Sequence, residues 1–132
     1  MFFRHYWNSK YSFASNDRLY KSFNDFRKAG KIASARDFLM ELREAAVRYR
    51  KIGAPAEKDW GSLKEKSVSR HLELINQYKV TQVRPFLLAL LECREKKYVD
   101  ETVFINMVAN LDNFHLIFSN ICQDRASGLE GK

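Results

Sequence analysis

The 132 residues are 45% hydrophobic and 14% aromatic, which suits one domain with a real core and excludes intrinsic disorder. The longest apolar run, 85–91, is too short to cross a bilayer, and residues 1–7 lack the apolar core and small-residue cleavage site of a signal peptide, so the sequence reads as cytoplasmic with no membrane role. The formal net charge is +7, and all of it lies in residues 1–52, which hold 12 Lys/Arg against 5 Asp/Glu, whereas residues 53–132 hold 11 of each.

In chain order, residues 2–11 are dense in aromatics. Phe3, Tyr6 and Trp7 fall on one side of a short helix. Such a cluster either folds back onto the core or continues a helix that began upstream in a longer protein. The second reading is preferred here; in an interaction module the cluster would instead form, with Met40 and Val47, a partner or self-association surface.

Ser15 or Asn16 starts the next helix, with Asp17 in its first turn and Gly30 at its stop. Leu19, Phe23 and Phe26 share a face, with Tyr20 at its edge. Ser34 begins a third helix, and Ser34-Ala35-Arg36-Asp37 resembles a capping box. Phe38, Leu39, Leu42, Ala45, Ala46, Tyr49 and Ile52 are its expected core face, ended by Gly53 and Pro55. Opposite that face, Arg36, Arg43 and Arg50 recur every seven residues, with Lys51 beside Arg50 and with Met40 and Val47 between them. A basic stripe broken by apolar residues suits phosphates or a protein partner. It also suits ordinary helix surface, on which Glu44 and Arg48 make an i,i+4 pair.

Residues 54–62 read as a loop from which Trp60 plugs the core. Leu63, Val68, Leu72 and Ile75 mark a helix ending near Tyr78, with His71 at the edge of the apolar face as a packing residue. Arg84-Pro85 opens a helix over 86–97 that is apolar nearly all round and so belongs in the interior. The short link at 98–100 then predicts antiparallel packing of the next helix, which runs from Asp100 to Ile121. Phe104, Met107, Val108, Leu111, Phe114 and Phe118 form its stripe, with Asn106, Asn110 and Asn113 opposite and Asp100 as the cap. A stripe this long needs cover. The expected fold is therefore all-α: a compact bundle of about five to six helices, with the last long helix at its centre. One domain spans 1–122, and 123–132 is a polar tail.

No catalytic constellation is visible. His5, His71 and His115 are far apart and lack metal-ligand spacing. There is no CxxC, no HExxH and no Gly-rich phosphate loop. Ser119 and Cys122 have no activating partner, and the carboxylates occupy surface helix positions. Cys93 and Cys122 read as reduced thiols. His115, beside Phe114 and Phe118, is expected to bond a backbone carbonyl. The chain is thus expected to be no enzyme and to carry no cofactor or metal.

Three stretches, in order, resemble one family. They are Phe2-Phe3-Arg4-His5-Tyr6-Trp7-Asn8-Ser9-Lys10-Tyr11, then Arg84-Pro85-Phe86-Leu87-Leu88-Ala89-Leu90, and last Asn113-Phe114-His115-Leu116-Ile117-Phe118-Ser119-Asn120-Ile121 with Arg125-Ala126-Ser127-Gly128. They resemble the "F-x-R-x-Y-W-x-S-K-Y" opening, the "P-(F/L)-L-L-A-L" helix and the "N-F-H-F-x-F-x-x-I…R-x-S-G" close of the helical region in GmrSD-like bacterial proteins. That family pairs a ParB-like nucleotide-hydrolysing domain with an HNH-type nuclease domain, often in restriction and phage defence. Neither domain's catalytic motif has a matching position here. The resemblance therefore implies the helical middle region alone: a fragment, a truncated product or half of a split system. It also implies neighbouring catalytic domains as partners and DNA as a possible ligand. The rival expectation is a protein-interaction or self-association module with no nucleic-acid role.

Overall fold

A computed structural model describes residues 1–62 and 64–118. Six α-helices and one short 3-10 turn make up the regular structure there, with no strand among the described residues. The helices are α1 (Phe2–Lys10), α2 (Asn16–Lys28), α3 (Ala35–Gly53), α4 (Lys66–Gln77), α5 (Arg84–Glu95) and α6 (Glu101–Leu116). The 3-10 turn, Glu57–Asp59, lies between α3 and α4. The fold is the expected all-α bundle. The expected run to Ile121, Leu63, Cys122 and the tail lie outside the described residues.

Local chemistry sets the boundaries. Ser34 Oγ accepts from the Asp37 amide at 3.4 Å, and Asp100 Oδ1 accepts from the Val103 amide at 2.8 Å. Each satisfies an N-terminal donor that the helix leaves unpaired. Pro85 sits in the first turn of α5, where a missing N–H is harmless. Gly30, at φ +72°, lets the chain leave α2 by a left-handed turn.

The core joins Ile52, Trp60, four residues of α4 and its exit (Val68, Leu72, Ile75, Val80), the leucines of α5, and Phe104 and Val108 of α6. Full burial of each such side chain contributes roughly 1.5–3 kcal/mol before chain entropy is counted. α5 packs on α1, α3 and α6, and α6 packs mainly on α4. The near-continuous apolar surface of α5 thus has a direct use, because Leu87, Leu88, Leu90 and Leu91 are all buried. Phe86 is the exception and is half-exposed. The centre of the bundle is shared: α5 bridges the N-terminal helices to α6.

The buried side of α6 differs from the apolar stripe. Phe104 and Val108 are buried, but so are Asp112 and His115, while Met107 and Phe114 are exposed. The face turns by roughly 60° on the helical wheel. The cause is polar: Asp112 Oδ2 lies 2.7 Å from His71 Nδ1 on α4, which pulls this side inward.

The N-terminal aromatics also point inward. Tyr6 and Trp7 are each only 2% exposed. The Trp7 ring lies 4.5 Å from Tyr11, 5.4 Å from Phe26 and 6.1 Å from Phe23, centroid to centroid. Tyr6 meets Phe38 edge-on at 6.3 Å. α2 has no fully buried residue and is held largely by these rings. α1 therefore folds back as a core element.

No described helix is long and apolar enough to cross a membrane. Cys93 is half-buried on α5 and forms no disulfide among the described residues.

Candidate interaction surface

α3 brings most of the predicted stripe to one solvent-facing side. Arg36, Arg43, Met40 and Val47 are all exposed there. Neither Arg36 nor Arg43 has a carboxylate partner among the described residues, since the ion pairs of α3 use Glu41, Glu44, Arg48 and Arg50. Arg50 is different. Its Nη2 donates to Asp59 Oδ1 at 2.6 Å, and that bond holds the Asp59 carboxyl below its usual range. Asp59 thus offsets the Arg50 charge. Lys51 is half-buried.

The helical spacing puts Leu39 and Ala46 on the core face, but both are exposed. Leu39 is 61% exposed, beside Met40 at 54% and Val47 at 49%. The outer face is therefore more apolar than the heptad pattern implies. Inward, α3 uses Ala45, Ile52 and the buried guanidinium of Arg48. Arg48 is not the surface residue expected from its spacing to Glu44. Its Nε donates to Glu95 Oε2 on α5 at 2.7 Å, while Glu44 stands off at 3.7 Å.

Phe3, Tyr6 and Trp7 do not join this surface. Phe3 is half-buried against Tyr6, Trp7 and Phe23, and the other two are buried outright. Tyr6 and Trp7 cannot serve as partner anchors in this fold, because their apolar area is already covered.

Two polar groupings were not visible in the sequence. The first is an ion pair between buried Glu65 and half-buried Arg94. Arg94 Nε donates to Glu65 Oε1 at 2.8 Å and its Nη2 to the other oxygen, while the guanidinium lies 5.8 Å from the Trp60 ring and 5.3 Å from Phe104. The expectation that carboxylates stay on helix surfaces fails for Glu65 and Asp112, because each meets a cationic or imidazole partner from another helix.

The second grouping links three segments. Tyr49 of α3 receives a hydrogen bond from Arg84 Nη1 at 2.9 Å and contacts His5 Nδ1 at 3.0 Å. Burial, then the nearby Arg4 and Arg84, lowers the His5 pKa from 6.5 to about 4. His115 is also lowered by burial, with Asp112 opposing. Its Nδ1 is buried and unpaired among the described residues, so the expected bond to a backbone carbonyl is not made by that atom.

No group of three or more His, Cys, Asp or Glu among the described residues is arranged to hold a metal ion. Comparison with models of protein families, with curated proteins and with solved structures finds no match.

Proposed function

We propose that the chain is the non-catalytic helical module of a GmrSD-like DNA restriction or phage-defence protein, working in the cytoplasm. In this reading it links and positions the catalytic domains and touches DNA through its basic N-terminal half. The observation that supports it most is the outer face of α3. Arg36 and Arg43 stand there without a carboxylate partner among the described residues, inside the region that carries the whole charge excess. They are about 10 Å apart along the axis, a span of two to three nucleotides on one strand. The ordered resemblance of the three stretches is the second support. Fluorescence anisotropy with a labelled DNA duplex at low salt is the direct test. Absence of binding there removes DNA from the proposal and leaves only the linking role.

A second reading has its own support. Leu39, Met40 and Val47 are exposed in one strip. Apolar side chains framed by arginines also suit a protein interface, with no nucleic-acid role. Sedimentation velocity over a wide concentration range separates self-association from the first reading.

A further inference from the structure

Between α1 and the start of α5 the surface opens into a cleft of about 460 Å³, lined by Arg4, His5, Phe13, Ser15, Gln82 and Phe86 among others. No carboxylate lines it. Two of its polar atoms, Arg4 Nε and Gln82 Oε1, are buried without a partner among the described residues. His5 is buried, and its Nδ1 is engaged by Tyr49. Buried polar groups are normally paired, so two unpaired ones around one opening are unusual.

The rim is aromatic. Phe13 is 87% exposed, and Phe86 is half-exposed. Neither ring meets another aromatic side chain among the described residues, although nearly every ring of the N-terminal half does.

The geometry points to a nucleotide-binding cleft: an aromatic heterocycle against Phe13 and Phe86, its donor edge met by Gln82 Oε1, and its phosphate at Arg4. The chemistry sets the class. A guanidinium in a cleft without acids selects an anion. Two free rings select a planar, apolar-faced group. An amide with an open acceptor selects a donor edge, which heterocyclic amines supply. The volume falls within the usual range for small-molecule sites. The same chemistry comes from a free mononucleotide or from an unpaired nucleotide of a strand. This inference does not depend on the α3 face, which lies on a different helix.

The test is a titration of the full chain followed by two-dimensional NMR and calorimetry. The ligands are adenosine monophosphate, adenosine, inorganic phosphate, a short single-stranded oligothymidylate and a duplex of equal length. Saturable binding of the monophosphate is expected, with shifts at Arg4, Phe13, Gln82 and Phe86 and with adenosine and phosphate each weaker. Phe13→Ala removes a solvent-facing ring and leaves the fold intact, so it is expected to weaken binding roughly tenfold. Arg4→Gln is expected to abolish the preference for the monophosphate over adenosine. Tighter binding of the oligothymidylate than of the monophosphate, lost in Phe13→Ala, assigns the strand as the source. The reverse order assigns the free nucleotide. Phosphate binding as tightly as the monophosphate, equal affinity in Phe13→Ala, or no saturable shift with any ligand overturns the assignment.

Discussion

The hydroxyl of Tyr49 lies 3.0 Å from His5 Nδ1. Arg84 donates to the same oxygen, so the hydroxyl ties α1, α3 and α5 together. Burial, then the positive charges of Arg4 and Arg84, holds the imidazole neutral in the interior. Its pKa falls from 6.5 to about 4, which ties folding to pH. Below pH 6.5 the unfolded chain takes up a proton that the folded chain resists until about pH 4. The stabilisation is complete above 6.5 and is lost as pH falls towards 4, to a limit of roughly 3 kcal/mol. Urea denaturation at pH 7.5 and 4.5 measures it. His5→Gln is expected to show a smaller decline than the parent. An equal decline in both places the acid sensitivity elsewhere.

Tyr49→Phe tests the same network at constant pH. It leaves buried His5 and half-buried Arg84 without the hydroxyl. A loss of about 1–3 kcal/mol is expected at pH 7.5, since orphaned groups cost their full desolvation. Stability within about 0.5 kcal/mol of the parent counts against a structural role for the hydroxyl.

What could be read in the sequence was what is local. The caps at Ser34 and Asp100, the stop at Gly30 and the proline entry to α5 all rest on neighbours in the chain. So does the burial of the α5 leucines, because a helix apolar all round has no other place. What could not be read was set by partners far along the chain. Asp112 and His115 displace Met107 and Phe114 from the buried face of α6, and counting apolar residues is blind to this. Arg48 looked like half of a surface pair because Glu44 is four residues away, while its closer partner, Glu95, is 47 residues away. On the candidate surface, the spacing of Arg36 and Arg43 was legible. The diversion of Arg50 to Asp59 needed the loop's position, and the cleft at Arg4 and Gln82 needed the packing of α1 on α5.

Buried Glu65, at the start of α4, pairs with half-buried Arg94 of α5, and both ends are needed. Glu65→Gln leaves the guanidinium without its charge partner beside Trp60 and Phe104. Arg94→Met leaves a buried carboxylate alone. Arg94→Met is expected to cost about 3–5 kcal/mol, because a lone buried carboxylate keeps its desolvation penalty, and Glu65→Gln is expected to cost less, because the Arg94 guanidinium is partly solvated. The double variant Glu65→Leu with Arg94→Met is expected to recover most of the loss. A thermodynamic cycle with no coupling between the two positions contradicts the pairing.

Inward and outward apolar residues should part clearly. Trp7→Ala opens a hole among Tyr11, Phe23 and Phe26, and an expected loss of about 3–5 kcal/mol follows. Met40→Ser with Val47→Thr, on the exposed side of α3, is expected to stay within about 1 kcal/mol of the parent. Chemical denaturation of the two variants is sufficient. Comparable losses mean that the outer strip of α3 is covered by some part of the chain.

The charges on that strip are not equivalent, and salt dependence can tell them apart. Each cation that neutralises a phosphate releases counterions and steepens the fall of affinity with salt by about 0.9 in log–log slope. Among the described residues Arg36 and Arg43 have no acid to leave, so removing both with Gln is expected to flatten the slope by about 2. Arg50 must first give up Asp59, whose carboxylate would then face the phosphates. Arg50→Gln is therefore expected to change the slope little. Replacing Asp59 by Asn frees the Arg50 charge and removes a like charge from the DNA, so it should tighten binding and steepen the slope. Anisotropy titrations between about 50 and 200 mM salt read all three variants. A slope that flattens equally on removing Arg36, Arg43 or Arg50 indicates a diffuse positive field, with no phosphates placed on the outer face of α3.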